Sequence, residues 1–252
     1  MSDIKLVLAD MDGTMMSYGS HEVSQRVRDA IKAAEKAGVT VVAVTGRPYE
    51  MAQEGLMTLG ISGPCVFDNG ATIRQAETGK LLWNNWLDVE VARQLVAFLT
   101  PYSSWIDYAI EQDEHEPRLN EVDFVETPAP YVFAYIRPED HPTIVDYLAG
   151  IPDISHYVAP AIRAEGRVGI QINHARADKF HGVEALRQLV DVSKEYSMAI
   201  GDGDNDVALF RNAGLRIAMG NATDGLRQVA DHIVETVDDD GFAIAMDKFV
   251  LS

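Results

Sequence analysis

Cysteine is almost missing from this sequence. Cys65 is the one thiol in 252 residues, so no disulfide can close within the chain, which fits a reducing compartment. Long apolar runs are missing too. The first run, Ile4 to Ala9, stops at Asp10. It is too short for the apolar part of a signal peptide and far too short for a membrane span, and no later stretch approaches spanning length. The expectation is a cytoplasmic protein that makes no use of a membrane. Positive charge is scarce: 21 Lys and Arg stand against 39 Asp and Glu, for a net charge of −18. Such a surface is repelled by nucleic-acid backbones and by anionic lipid, although a small anionic substrate held in a local basic pocket remains compatible with it. His115, His141, His156 and His174 show no metal-like spacing. There is no internal repeat and no low-complexity tract.

What is present is a globular composition. Hydrophobic residues make up 47% of the chain, too many for disorder despite the charge. The length suits one large domain or two smaller ones. Lys5 to Ala9 reads as a buried strand, His21 to Ala37 as a helix stopped by Gly38, and Val39 to Val44 as a second strand. A helix from Arg47 to Leu59, beginning near Pro48, and a strand Cys65 to Phe67 follow. This alternation predicts a parallel sheet with right-handed crossovers.

The rhythm then changes. From about Lys80 to Arg176 the chain holds all three tryptophans, helix candidates at Val89–Leu99 and Pro138–Leu148, strand candidates at Tyr131–Ile136 and Val168–Ile172, and a polar loop from Asp113 to Asn120. The first rhythm returns with a helix Lys179–Val190, whose Val183, Leu186, Leu189 and Val190 share a face, and a strand Ser197–Ile200. A helix Asn205–Ala213, a strand Leu215–Met219, a helix Thr223–Ala230, a strand His232–Val234 and a helix Gly241–Phe249 close the chain. The expected fold class is α/β: a doubly wound, Rossmann-like parallel-sheet core from residues 1–80 and 177–252, with an inserted α+β cap at 81–176.

Two acidic clusters stand at strand ends: Asp10-Met11-Asp12-Gly13-Thr14 after the first strand and Gly201-Asp202-Gly203-Asp204-Asn205-Asp206 after a later one. In an open parallel sheet both face the crevice beyond the carboxyl ends of the strands. Carboxylates gathered there repel one another unless a cation joins them, and hard oxygen donors favour Mg2+. A cation so held attracts phosphate. Thr45-Gly46-Arg47-Pro48 supplies a hydroxyl and a backbone amide where a helix opens, which is an anion site. Lys179, also at a helix start, supplies positive charge.

Taken together, these residues resemble the haloacid dehalogenase-like hydrolases, and within them the Cof-type phosphatases with a large α/β cap. The resemblance rests on Asp10-Met11-Asp12-Gly13-Thr14, Thr45-Gly46-Arg47, Lys179 with Gly182, and Gly201-Asp202 with Asn205-Asp206, in that order. Asp68-Asn69-Gly70-Ala71 and Ala218-Met219-Gly220-Asn221-Ala222 look like two further signatures of the family. The likeness covers essentially the whole core. Met15 and Met16 stand where the family often has leucine, and Phe180-His181 where smaller residues are common.

The resemblance implies two-step phosphoryl transfer. Asp10 would be the nucleophile that becomes an aspartyl-phosphate, and Asp12 the acid for the leaving oxygen and then the base for water. Thr45 and Gly46 would bind the phosphoryl group, with Asn205 contacting it or supporting Lys179. Lys179 would hold nucleophile and phosphate together. Mg2+ would sit on Asp10, the Asp12 carbonyl and Asp202, with Asp206 orienting metal-bound water. The expected partner is a small phosphorylated metabolite, with no nucleic acid, no membrane and no oligomeric state implied. The cap would supply specificity and gate the site, with Arg118, Arg137, Arg163, Arg167, Arg176 and His174 as its polar candidates.

Several of these residues also have plainer readings. Thr45-Gly46-Arg47 is also an ordinary helix start. The run from Asp202 to Asp206 resembles a calcium loop, but Asn212-Ala213-Gly214 stand where its glutamate is needed. Asp238-Asp239-Asp240 reads as a surface turn, Cys65 as core, and Trp83, Trp86 and Trp105 as packing. A phosphotransferase or mutase of the same superfamily would pass the phosphoryl group to a sugar hydroxyl. A non-catalytic phospho-acceptor module is the rival of a different class. Signalling receivers of that kind lack an acid at the position of Asp12 and lack a large insert.

Overall fold

The computed structural model describes residues 3–19, 22–108, 128–159 and 166–252. These divide into two compact units, Met1–Trp83 with Asp178–Ser252, and Asn84–Ala177. In chain order the first unit opens with β1 (Leu6–Ala9), α1 (Gln25–Lys36), β2 (Thr40–Ala43), α2 (Tyr49–Leu59), β3 (Pro64–Phe67), β4 (Thr72–Gln75) and β5 (Leu81–Asn84). The second unit contributes α3 (Val89–Leu99), β6 (Ser103–Tyr108), β7 (Val132–Ile136), α4 (His141–Leu148), β8 (Ile154–Ala159) and β9 (Val168–His174). The first resumes with α5 (Lys179–Val190), β10 (Ser197–Gly201), α6 (Asp206–Phe210), β11 (Leu215–Ala218), α7 (Asp224–Val229), β12 (His232–Ile233) and α8 (Gly241–Phe249).

The first unit is built on a parallel sheet of order β12-β11-β10-β1-β2. The chain runs outward from β1 to β2 on one side and from β10 to β12 on the other, so the direction of winding reverses between β1 and β10. β3 joins beyond β2 through the parallel bridge of Val44 with Val66, then pairs antiparallel with β4. All four β1 residues are fully buried. That is why the run is apolar throughout rather than alternating: helices cover both faces of a wound parallel sheet. α1 packs with α2 and α8, while α5 packs with α6 and α6 with α7.

Local chemistry sets the helix ends. α1 starts at Gln25 rather than near residue 21, because the Ser24 side chain caps it by accepting from Val27 N. Pro48 is the cap of α2 and not its first turn, with ψ at 156°. Asp178 caps α5 by accepting from His181 N. On α5 the buried stripe is Lys179, Gly182, Val183 and Leu186, at helical spacing. Leu189, expected on that face, is 52% exposed, while its neighbour Val190 packs against the core.

The second unit has an antiparallel sheet of order β6-β7-β9-β8. Val132, Ala134 and Ile136 of β7 and Ile170 and Ile172 of β9 turn inward at every second position, onto α3 and α4 residues such as Leu95, Leu99, Ile144 and Leu148. Phe98 of α3 stacks on Tyr147 of α4 with ring centroids 3.5 Å apart. The sequence-expected loop Asp113–Asn120, and with it His115 and Arg118, lies outside the described residues, as does Arg163.

Candidate functional site

The site lies at the carboxyl edge of the parallel sheet. Ala9 pairs with Ile200 and with Ala43, so the residues that follow β1, β2 and β10 emerge side by side. Asp10 N donates to Ile200 O at 3.1 Å, and Val44 N to Ala9 O at 2.8 Å. Asp10, Thr45 and Asp202 are thereby fixed by backbone register before any side-chain contact is counted.

Lys179 arrives from the first turn of α5. Gly182, one turn on, lets the helix lie close against the strand-end turn after β3: a Cβ there would come 2.8 Å from Gly70 Cα. Lys179 is only 2% exposed, and its Nζ donates to Asp10 Oδ1 at 2.8 Å and to Asp206 Oδ1 at 2.7 Å. The other Asp206 oxygen accepts from the backbone amides of Asp202 (3.0 Å) and Gly203 (2.9 Å). Asp206 therefore ties the lysine to the loop that carries Asp202.

Asp202 is fixed by three donors. Thr14 Oγ1 donates to Oδ1 at 3.1 Å, Asn221 Nδ2 donates to Oδ2 at 3.2 Å, and the Tyr18 hydroxyl also donates to Oδ2. Gly13 makes the approach possible. It has φ +73°, and a Cβ at this position would lie 2.3 Å from Asp202 Oδ2, so the turn after β1 requires glycine.

Asp12 is gripped from the side. Arg47 Nε donates to its Oδ2 at 2.7 Å and Nη2 to its Oδ1 at 2.5 Å, a two-pronged pair. Thr45 is buried, with its Oγ1 accepting from Arg47 N at 3.1 Å. Asn205 reaches Asn69 Oδ1 at 3.4 Å, and that same amide oxygen lies against Gly46. Asp10, Asp202, Asp206 and Lys179 thus form one cluster. Asp12 with Arg47 forms a second, and Asn205 with Asn69 beside Gly46 a third.

Sequence reasoning missed several partners. Arg47 reads in sequence as part of a helix start, with no signal that it clamps Asp12. Tyr18 sits in a loop and gave no signal at all. Nothing in the spacing of Asn221 indicates its contact with Asp202.

The electrostatics follow from burial. Burial pushes the Asp10 carboxyl up to about 7, although Lys179 pulls it down. Burial likewise raises Asp202. For Lys179 burial works toward the neutral amine, but Asp10 and Asp206 outweigh it and hold the ammonium above its ordinary value. Three buried carboxylates, those of Asp10, Asp202 and Asp206, bring one oxygen each within 4.8 Å of one another. With a single lysine among them the cluster carries excess negative charge. An all-oxygen donor set of this kind fits a divalent cation.

Asp68, at the end of β3, is a further buried carboxyl. Thr72 Oγ1 donates to its Oδ2 at 2.8 Å, while Oδ1 has no hydrogen-bond partner among the described residues. Burial pushes it up to about 7. Below about pH 4 it is protonated folded or unfolded and changes nothing. As pH rises from there to about 7, only the unfolded chain gives up the proton freely, so stability falls across that window. Asp68→Asn is expected to stabilise the protein at pH 8 by up to about 4 kcal/mol and to make little difference at pH 4. Urea midpoints at the two pH values check this; an equal effect at both would show that ionisation is not the cause.

A profile of the haloacid dehalogenase-like hydrolases matches residues 7–141 and 139–246 of the chain. A phosphoglycolate phosphatase of Metallosphaera sedula is 30% identical over 235 residues, covering 90% of this chain and 90% of that protein. A 5-amino-6-(5-phospho-D-ribitylamino)uracil phosphatase of Bacillus subtilis is 27% identical over 261 residues, covering 99% and 97%. In fold, a crystal structure of a Thermotoga maritima protein is similar with a TM-score of 0.81 at 20% identity, over 97% of both chains.

Proposed function

Since the chain belongs to the haloacid dehalogenase-like hydrolases, we propose that it is a Mg2+-dependent phosphatase of small phosphorylated metabolites, of the sugar-phosphate kind, working through an aspartyl-phosphate on Asp10. The observation that carries this reading is Lys179, buried and bonded to both Asp10 and Asp206. A buried ammonium fixed on one oxygen of a carboxylate orients that carboxylate and offsets charge on an incoming phosphate.

With Asp10 Oδ1 taken by Lys179, attack falls to Oδ2. A bond forms from Oδ2 to phosphorus as the ester P–O bond breaks, and the leaving oxygen takes a proton from Asp12. Water, giving its proton to Asp12, then attacks phosphorus, releases inorganic phosphate and restores Asp10. Both Asp12 oxygens accept from Arg47, so delivering a proton requires at least one of these bonds to open. The Thr45 hydroxyl accepts from Arg47 N, which keeps its own hydrogen available for a phosphoryl oxygen. When bound by Asp10, the Asp12 carbonyl and Asp202, Mg2+ supplies positive charge against the phosphoryl oxygens.

The two curated relatives are named for dissimilar substrates, phosphoglycolate and a ribitylaminouracil phosphate. What those names share is the phosphate monoester, and the class proposed here goes no further. In this reading the unit Asn84–Ala177 acts as the cap and selects among such monoesters.

The test is a panel of phosphorylated metabolites assayed for inorganic phosphate. Release is expected with Mg2+, loss to background with EDTA, and recovery when Mg2+ is restored. Phosphoryl transfer to an acceptor hydroxyl without phosphate release would replace the hydrolase with a transferase. A stable phospho-enzyme that never turns over would replace it with a phospho-acceptor module.

A further inference from the structure

Tyr18 is an odd residue for its place. It stands in the turn after β1 and is 69% exposed, yet its hydroxyl donates to Oδ2 of Asp202, a residue only 3% exposed. A tyrosine with most of its surface in solvent can satisfy its hydroxyl with water at no cost. Here the hydroxyl reaches inward to a carboxylate instead. The ring edge lies across Gly13, where a Cβ would come 2.7 Å from Tyr18 Cε2, so the side chain is seated on the turn.

The donor geometry at Asp202 shows what the contact does. Each carboxylate oxygen accepts in two lone-pair directions. Both directions of Oδ2 are engaged, by Tyr18 and by Asn221 Nδ2. Oδ1 accepts from Thr14, which leaves one direction. Thr14 and Tyr18 come from the turn after β1 and Asn221 from the loop after β11, so the carboxylate is held from two sides. Asn221 holds a second contact, to Gly13 O at 2.9 Å, so it cannot follow Asp202 freely. Tyr18 supplies the second donor on Oδ2, which adds to Thr14 and Asn221 in holding the carboxylate against rotation about its Cβ–Cγ bond.

We propose that Tyr18 is a positioning residue for the divalent cation: its hydroxyl locks the Asp202 carboxylate so that the remaining direction on Oδ1 faces the cluster shared with Asp10 and Asp206. The inference rests on the cation reading of the preceding section. Partners of this kind around ligating groups commonly change metal affinity by about 10- to 100-fold when removed.

Tyr18→Phe deletes the hydroxyl and keeps the ring. Titration calorimetry of the full chain with Mg2+, and separately with Mn2+, is expected to show Kd raised by about 10- to 100-fold. The thermal midpoint without cation should match the parent, and the rise on adding cation should shrink. An unchanged Kd overturns the proposal. So does tighter binding, which would make Tyr18 a cover that competes with the cation. Asp202→Asn is titrated alongside. If it still binds the cation as the parent does, the cation reading itself fails. If it loses binding while Tyr18→Phe keeps it, only the role of Tyr18 fails.

Discussion

Asp10→Asn is expected to lose turnover of an aryl phosphate by about 10^4-fold or more, the scale of removing a covalent nucleophile, while staying folded. The amide keeps the shape of the side chain but cannot form the acyl-phosphate bond. Lys179 keeps its other partner, since Asp206 Oδ1 lies 2.7 Å from Nζ, and Asp206 keeps its two backbone donors. Stability should hold or rise at pH 8. The parent must then ionise a carboxyl that burial pushes up to about 7, and the variant has none to ionise. Phosphate release and a urea curve on the same preparation check both halves. Undiminished turnover would remove Asp10 from the nucleophile position.

Lys179→Met carries the largest expected loss of stability. Lys179 is 2% exposed and Asp206 is fully buried. Removing one partner of a buried ion pair typically costs about 3–5 kcal/mol, because the remaining charge has no replacement solvent. The cost should depend on pH in a defined sense. Asp10, already raised by burial, loses the cation that pulled it down, so it binds its proton more tightly in the variant. Well below pH 7 it is neutral and the loss is muted. Above pH 7 the parent gives up this proton, whereas the folded variant must keep it or ionise without a partner, so the loss grows. Urea midpoints at pH 5 and pH 8 should therefore separate parent and variant more widely at pH 8. A Lys179→Met protein as stable as the parent at pH 8 would mean that the lysine does not neutralise this cluster.

Much of the fold is legible in the residues, and its limits have physical causes. Val89–Leu99, Lys179–Val190 and Gly241–Phe249 are helices over the expected residues, because each has a periodic apolar stripe and clear end signals. β4, β5, β6 and β8 carry no such signal in the sequence. β4 and β5 are four residues long, too short for alternation to stand out, and β8 is largely exposed over its first five residues, so no apolar run marks it. The helix at Gln25 began late because a capping serine decides the first turn locally, whereas the apolar pattern around Val23 extends past it.

The site divides in a similar way. That Asp10 and Asp202 meet follows from strand register, and register follows from apolar runs that the sequence displays. The Arg47–Asp12 clamp, the Tyr18 hydroxyl and the stranded oxygen of Asp68 depend on where long or buried side chains come to rest. No spacing in the chain encodes that. Lys179 lies between these cases. Its place at a helix start is readable, but its complete burial on the same stripe as Val183 and Leu186 is visible only once the helix is packed.

The sheet at the heart of the first unit also sets the order of events during synthesis. β1 and β2 leave the ribosome early, but the neighbour of β1 on its other side is β10, with Leu6 opposite Ser197. Until β10 arrives, one edge of β1 is a row of unpaired peptide groups, and edges of that kind recruit other chains. The second unit, with its own apolar core, emerges whole in that interval. Such long-range pairing slows folding, since loop closure must precede the contacts that reward it. Until β10 is made, the sheet lacks the strand that brings Asp202 and Asp206 to Asp10.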